Sequence, residues 1–394
     1  MTEKLYHSSL KSCESRVLSC RENNGVWEVL LDKTVIFPEG GGQPADTGHI
    51  GNAAVLDAQE DGDDVIHILD RPLTVGGTYT VSFDTERRRD HSEQHTGEHI
   101  LSGTAFRLFE AKNVGFHMAE DYCTLDLDKY LDADALTELE KAANEAVRRN
   151  VPVTARVMDR AEFNTISIRK KSEVKSDEIR VVYIGGGEVD SCTCCGTHCN
   201  TSGEVGYIRI TDSQKYKGGT RIWFSCGSRA VKEANAVTRL LTELARSYST
   251  GRDELPAAVR KQSEELAMLK RELKARTQAL CDMLAEKNTS AFAVVRIEGF
   301  SANDVKMLSE TLIAHGAKAA LVFGITDGVT HYRAVRAKDT SLNMNEIIKA
   351  VNALLNGKGG GSPLFAQGSA QKSLDSESFG SIKAYAEKLA MNEL

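Results

Sequence analysis

Two pairs of metal-seeking side chains, each with its members four residues apart, stand nearly a hundred residues from one another in this chain. Any fold it adopts decides whether they meet. His95 and His99 form the first pair. On a helix that spacing is about one turn, so both imidazoles leave the same face within reach of one ion. Cys194 and His198 form the second, inside the turn-rich stretch Cys192-Thr193-Cys194-Cys195-Gly196-Thr197-His198. Three imidazoles and a thiolate make a tetrahedral, zinc-type set, whereas hard cations call for carboxylates.

Either pair alone is a weak signal, because two histidines on one helix face are commonly surface or packing residues. The cysteine context strengthens it. Five of the nine cysteines, Cys192, Cys194, Cys195, Cys199 and Cys226, fall in one short stretch. In a long chain without a secretion signal that crowding points to metal rather than disulfides. The register stays open at this level: Cys192 and Cys195 make a CxxC, and Cys195 with Cys199 repeats the spacing of four. His91 extends the helical series by a turn, as a capping or supporting residue. Thr96 places a hydroxyl between the two helical histidines.

Composition sets the class. With 41% hydrophobic and 27% charged residues, the 394-residue chain can bury several cores. The formal charge of -7 argues against general affinity for phosphate, so any nucleic-acid contact needs local basic patches. Three basic triplets flank the paired ligands: Arg87-Arg88-Arg89, Arg169-Lys170-Lys171, and Lys215, Lys217 and Arg221. No apolar run suffices to span a bilayer, and the opening MTEKLYHSSLKSCESRV lacks an apolar signal core. A cytoplasmic protein is expected.

The periodicity predicts an α+β chain. Short strands at Val26–Leu31, Val35–Phe37, Ala53–Leu56, Val65–Leu69 and Tyr79–Phe83, split by glycine and asparagine turns, read as a small antiparallel barrel. Within it, Phe37-Pro38-Glu39-Gly40-Gly41-Gly42-Gln43-Pro44 is either a tight corner or a loop whose bare backbone admits a ligand, with Gly41, Gly42 and Gln43 as substrate-binding candidates. A helix capped by Asp90, with Glu93 as its capping-box partner, carries the first histidine pair. Strands at Thr124–Leu127, Val153–Met158, Glu178–Ile184 and Val205–Ile210 and a helix from Asp134 to Arg149 complete the mixed region. Residues 228–288 are helical, with an apolar seam from Leu255 through Leu266, Leu269, Leu273 and Leu280 that fits hairpin packing or a second chain. The remainder alternates strand and helix as a small α/β domain.

The motifs together resemble a known family. Asp90-His91-Ser92-Glu93-Gln94-His95-Thr96-Gly97-Glu98-His99, with Cys194-Cys195-Gly196-Thr197-His198 and Thr201-Ser202-Gly203-Glu204-Val205-Gly206, resembles the editing domain of alanyl-tRNA synthetase and its freestanding AlaX relatives. The Phe37–Gly48 stretch is similar to the glycine-rich motif of the preceding barrel, and Gly357–Ser369 to that of the DHH-associated C-terminal domain, as in long-form AlaX. Cys195 stands where the family motif has glycine.

The resemblance implies a glycine-motif barrel over 1–88, a zinc-binding editing domain over 89–228, a helical, coiled-coil-like linker over 229–288 and a DHH-associated domain over 289–394. It further implies a trans-editing hydrolase for seryl- or glycyl-tRNA(Ala), Zn2+ held by His95, His99, Cys194 and His198, and tRNA(Ala) as partner. Thr96 is expected to sense the serine hydroxyl and Glu98 to accept a proton. Because the chain starts at the barrel, no aminoacylation is expected. A homodimer through the linker or the C-terminal domain is a further expectation. Alternatives are a zinc-stabilised tRNA-binding module without catalysis, editing of seryl-tRNA(Thr), and a phosphodiesterase, the last disfavoured by the missing DHH motif.

Overall fold

The structure is a computed structural model, describing residues 1–171, 178–372 and 374–393. It is α+β and divides into two compact units, Met1–Glu243 and Leu244–Leu394.

The first unit begins with a closed six-stranded barrel in the order Ser12–Asn23, Val26–Leu31, Asp64–Leu69, Ala53–Asp61, Gly48–Ile50, Thr78–Phe83. Val17, Val29, Leu31, Ile50, Val55, Leu69 and Val81 fill it. Ser12–Asn23, whose sequence SCESRVLSCREN carries little apolar signal, is its longest strand. Val35–Phe37, expected as strand, is buried but irregular. Its amides are taken by side chains: Ile36 N–H donates to Thr34 Oγ1 and Phe37 N–H to Asp46 Oδ2 at 2.8 Å. Asp46, fully buried, is neutralised by Arg88, which also donates to the Val35 carbonyl at 2.8 Å and lies over the Phe83 ring.

His67 sits wholly inside this barrel, 2.8 Å from Thr34 Oγ1 and 3.2 Å from the Val29 carbonyl. Burial pushes its pKa down from 6.5 to about 4, and the bond to Val29 offsets this only in part. The unfolded chain therefore takes up a proton near pH 6.5 that the folded one refuses until about pH 4. The contribution to stability is complete above pH 6.5 and is lost as pH falls to 4, at about 1 kcal/mol per pH unit. Urea unfolding should show this slope in the wild type and a flatter one in His67→Gln; parallel curves would exclude it.

After the barrel comes the helix Thr85–Phe109, capped by Asp84, whose carboxylate accepts from the Glu86 and Arg87 amides. The expected cap, Asp90, lies inside the helix and instead pairs with Arg229. This helix packs against a four-stranded antiparallel sheet, ordered Ile208–Tyr216, Gly219–Cys226, Cys123–Leu127, Asn113–Met118, and against the helix Ala133–Arg148. A three-stranded sheet, Val153–Asp159, Glu178–Ile184, Asp190–Thr193, carries the cysteine loop at its end. The strand expected at Val205–Ile210 starts at Ile208, Ser202–Val205 being a 3-10 turn.

The region expected to be helical forms two helices, Gly227–Ser247 and Leu255–Lys287. In the second unit a five-stranded sheet runs Phe292–Glu298, Ala319–Thr326, Val329–Arg336, Phe365–Ala370, Lys358–Gly361, the first pair parallel and the others antiparallel. The glycine-rich stretch Gly357–Ser369 supplies its last two strands. Among the described residues no helix is long and apolar enough to cross a membrane.

Candidate metal centre

The helix Thr85–Phe109 breaks the usual patterning rule, because every residue from His91 to Ala105 is buried although most are polar. Buried polar groups need partners, and a polar helix enclosed on all sides marks a place where something other than packing dictated the residues. Close approach is allowed by glycine. A Cβ at Gly97 would overlap Cys226 Sγ, and one at Gly103 the Val189 carbonyl.

On this helix His95 and His99 meet Cys194 and His198, and one ligand atom from each lies within 4.8 Å of all the others. Cys194 Sγ is 3.4 Å from His95 Nε2 and 3.3 Å from His198 Nε2. Zinc bonds of about 2.3 Å to sulfur and 2.0 Å to nitrogen give tetrahedral edges of about 3.5 Å, so the donor set fits that ion.

Each imidazole is held from behind at Nδ1. His95 Nδ1 meets Gln43 Oε1 at 2.8 Å, His99 Nδ1 meets Asp190 Oδ2 at 2.9 Å, and His198 Nδ1 meets Thr96 Oγ1 at 3.3 Å. That arrangement leaves each Nε2 lone pair turned inward, the usual support of a histidine–metal bond. Burial pushes His198 down to about 3, keeping the ring neutral. Burial alone would push the Cys194 thiol up. The surrounding His95, His198 and His99 rings outweigh it and hold the thiol well below its ordinary range. Neutral imidazole and thiolate are the forms a metal binds; at His99 burial would favour the neutral ring, but Cys192, Cys194 and Asp190 prevail and push it well above its usual value, so a metal entering there must displace a proton.

Two groups of potential ligands share His99: Cys194 joins the three histidines, and Cys192 joins His99 and Asp190. Cys192 lies on the other side of His99, 3.4 Å from its Nδ1 beside Asp190, and burial raises its pKa. Cys195 is exposed, and Cys199 is buried with its amide donating to Thr96 Oγ1 at 3.0 Å.

Two expected roles change with the burial. Thr96 is fully buried and its oxygen serves Cys199 N–H and His198, so it cannot face a substrate hydroxyl as placed. Gln43 is also fully buried. Its Oε1 accepts from His95 and from the Thr197 amide at 3.1 Å, and its Nε2 donates to Thr197 Oγ1 at 2.9 Å, tying barrel, helix and cysteine loop together. Gly42, at φ +85°, would place a Cβ 2.8 Å from the Phe116 carbonyl, so its bareness serves the chain's own strand. A Cβ at Gly41, φ +62°, would meet nothing within 4 Å, so this position has open space beside it. Glu98 accepts from Ser102 and from Asn113 Nδ2 at Oε1, while Oε2 lies 3.8 Å from His99 Nε2.

Sequence reasoning missed Asp190, for which no local motif exists. Asp190 is buried and held at about 2: burial would raise it, but the bond from His99 and the ion pair with Arg169 prevail. Arg169 thereby leaves the expected RNA patch, as do Arg88 and Arg221, which close on Asp46 and Asp126. Lys215 and Lys217 lie over the Tyr130 and Tyr216 rings. Gly196 is also indispensable to the site, since a Cβ there would overlap the His95 ring.

Comparison with known proteins agrees with this architecture. A family model described as the threonyl and alanyl tRNA synthetase second additional domain matches residues 179–222, across the cysteine loop, and the DHHA1 domain matches 289–392. The alanyl-tRNA editing protein Aarsd1 of Danio rerio is 32% identical over 66% of this chain and 67% of its own length. The alanyl-tRNA editing protein AlaX-L of Pyrococcus horikoshii is 27% identical over 93% of this chain and 94% of its own. An alanine–tRNA ligase of Methanopyrus kandleri is 30% identical over 93% of this chain, which spans 42% of that ligase's length. By these likenesses the chain belongs to the family of alanyl-tRNA editing proteins.

Proposed function

We propose that this chain is a trans-editing hydrolase that cleaves the ester joining serine or glycine to the terminal ribose of tRNA(Ala). The convergence of His95, His99, Cys194 and His198, each ring tied at Nδ1, is the observation that carries the reading. Such an activity has a physical need. A pocket for alanine loses only about 1–3 kcal/mol with glycine and rejects an added hydroxyl poorly, so a second, hydrolytic site must restore accuracy.

The four residues would hold Zn2+, which when bound can polarise a carbonyl or orient the substrate amine and ribose. The chain's own groups do the rest. Glu98, buried with Oε2 3.8 Å from His99 Nε2, would accept a proton from an attacking water. Gln43 and Thr96 keep His95 and His198 in their metal-facing tautomers. Gly41 is the loop position left bare for a substrate backbone. The unit matched by the DHHA1 model would hold tRNA away from its acceptor end, and the exposed row Leu266, Leu269, Leu273 is where a homodimer would form.

The test is incubation with seryl-, glycyl- and alanyl-tRNA(Ala) and seryl-tRNA(Thr), with and without chelator. Serine and glycine should be released from tRNA(Ala), alanine retained, and chelator should stop release. Binding without release would replace this reading by a zinc-stabilised tRNA-binding module, which a closed four-ligand set also suits. Thr96→Val should weaken serine and glycine removal in parallel, with metal affinity down ~10- to 100-fold. Selective loss of serine removal would instead restore the sensing role.

A further inference from the structure

Arg88, Arg169, Arg221 and Arg229 each close on an aspartate. Arg180, half-buried on the strand Glu178–Ile184, forms no ion pair among the described residues. Its Nη1 donates to the Cys194 carbonyl at 2.7 Å and the Gly196 carbonyl at 3.2 Å, and its own carbonyl accepts from Cys194 N–H. These bonds clamp the guanidinium to the cysteine loop. Among the described residues its Nε and Nη2 have no hydrogen-bond acceptor.

Its position matters as much as its charge. His95 and His99 are 2% exposed, whereas Cys194 and His198 are only half-buried, so the cluster opens on the side of these two. Arg180 lies on that side, next to Cys194 and beside exposed Cys195. A partly desolvated guanidinium without a carboxylate favours an incoming anion, and its planar fork matches phosphate. A substrate esterified on its terminal ribose brings one anion of fixed position, the 5′-phosphate of the same nucleotide.

We propose that Arg180 binds that phosphate and so positions the ester at the cluster's open edge. The proposal rests on the deacylase reading above. It names a phosphate anchor contributed by the cysteine loop's own strand, distinct from the groups that hold the metal.

The test compares hydrolysis of 3′-O-seryl-adenosine with that of its 5′-monophosphate. In the wild type the phosphate should raise kcat/KM ~10- to 100-fold, as expected for charge-assisted hydrogen bonds. In Arg180→Gln the ratio between the two substrates should collapse toward one, and Arg180→Lys should recover part of it. Zinc content and unfolding midpoint, measured alongside, report on the loop clamp. A wild type indifferent to the phosphate, or an Arg180→Gln protein slowed equally on both substrates, would overturn the proposal and leave Arg180 as a strap for the loop. A wild type that hydrolyses neither compound but still deacylates seryl-tRNA(Ala) would overturn it too, since positioning would then come from elsewhere on the RNA. Failure on all three substrates would remove the deacylase reading itself.

Discussion

In the Cys194→Ala protein, zinc should fall from one equivalent per chain toward none, and serine release from seryl-tRNA(Ala) should drop by well over the ~100-fold that loss of an outer partner costs. Among the described residues Cys194 is the thiol that faces His95 and His198 together, at 3.4 and 3.3 Å. Nothing else among the described residues completes the four-membered set. Cys192→Ala is the matching control, because Cys192 lies against the Nδ1 side of His99, already held by Asp190. It should keep its metal. Elemental analysis and deacylation of the two variants decide the register: metal retained by Cys194→Ala and lost by Cys192→Ala would reverse the assignment.

The second large effect belongs to Asp190. Asp190→Ala should cost about 3–5 kcal/mol of folding free energy, since it leaves the Arg169 charge buried without a partner. It should also weaken metal binding ~10- to 100-fold by freeing His99 Nδ1. Asp190→Asn retains an acceptor for His99 but not the charge, so it should separate the two losses, sparing metal affinity more than stability. Denaturant unfolding and competition with a metal indicator measure them independently. An alanine variant matching the wild type in both would show that the carboxylate supports neither.

Much of the barrel and the helical character of 228–288 was legible because hydrophobic periodicity and turn residues act locally. Val26–Leu31 and Glu178–Ile184 carry their strand signal within themselves. Ser12–Asn23 does not, since its polar residues become strand only through the neighbours that pair with them. The helix start went to Asp84 rather than Asp90 for a related reason: both can cap, and Asp90 is claimed by Arg229, 139 residues away. Glycine runs read alike in sequence too. One of them, Lys358–Gly361, became an edge strand, and the other became the loop that carries Gln43 to His95.

By itself the sequence determined which side chains could be ligands, because spacing along a helix or a tight loop fixes direction over one turn. It determined the family as well, through motifs whose order is covalent. Only the tertiary structure brought Cys194 to His95 and His198, set Thr96 against His198 and Gln43 against His95, and joined Arg169 to Asp190 while Arg180 meets no carboxylate among the described residues. The reason is one of range. Propensity and spacing act over a few residues, whereas hydrogen bonds and charge pairs act between whatever surfaces packing brings together, and a buried polar group takes its role from the partner it finds there.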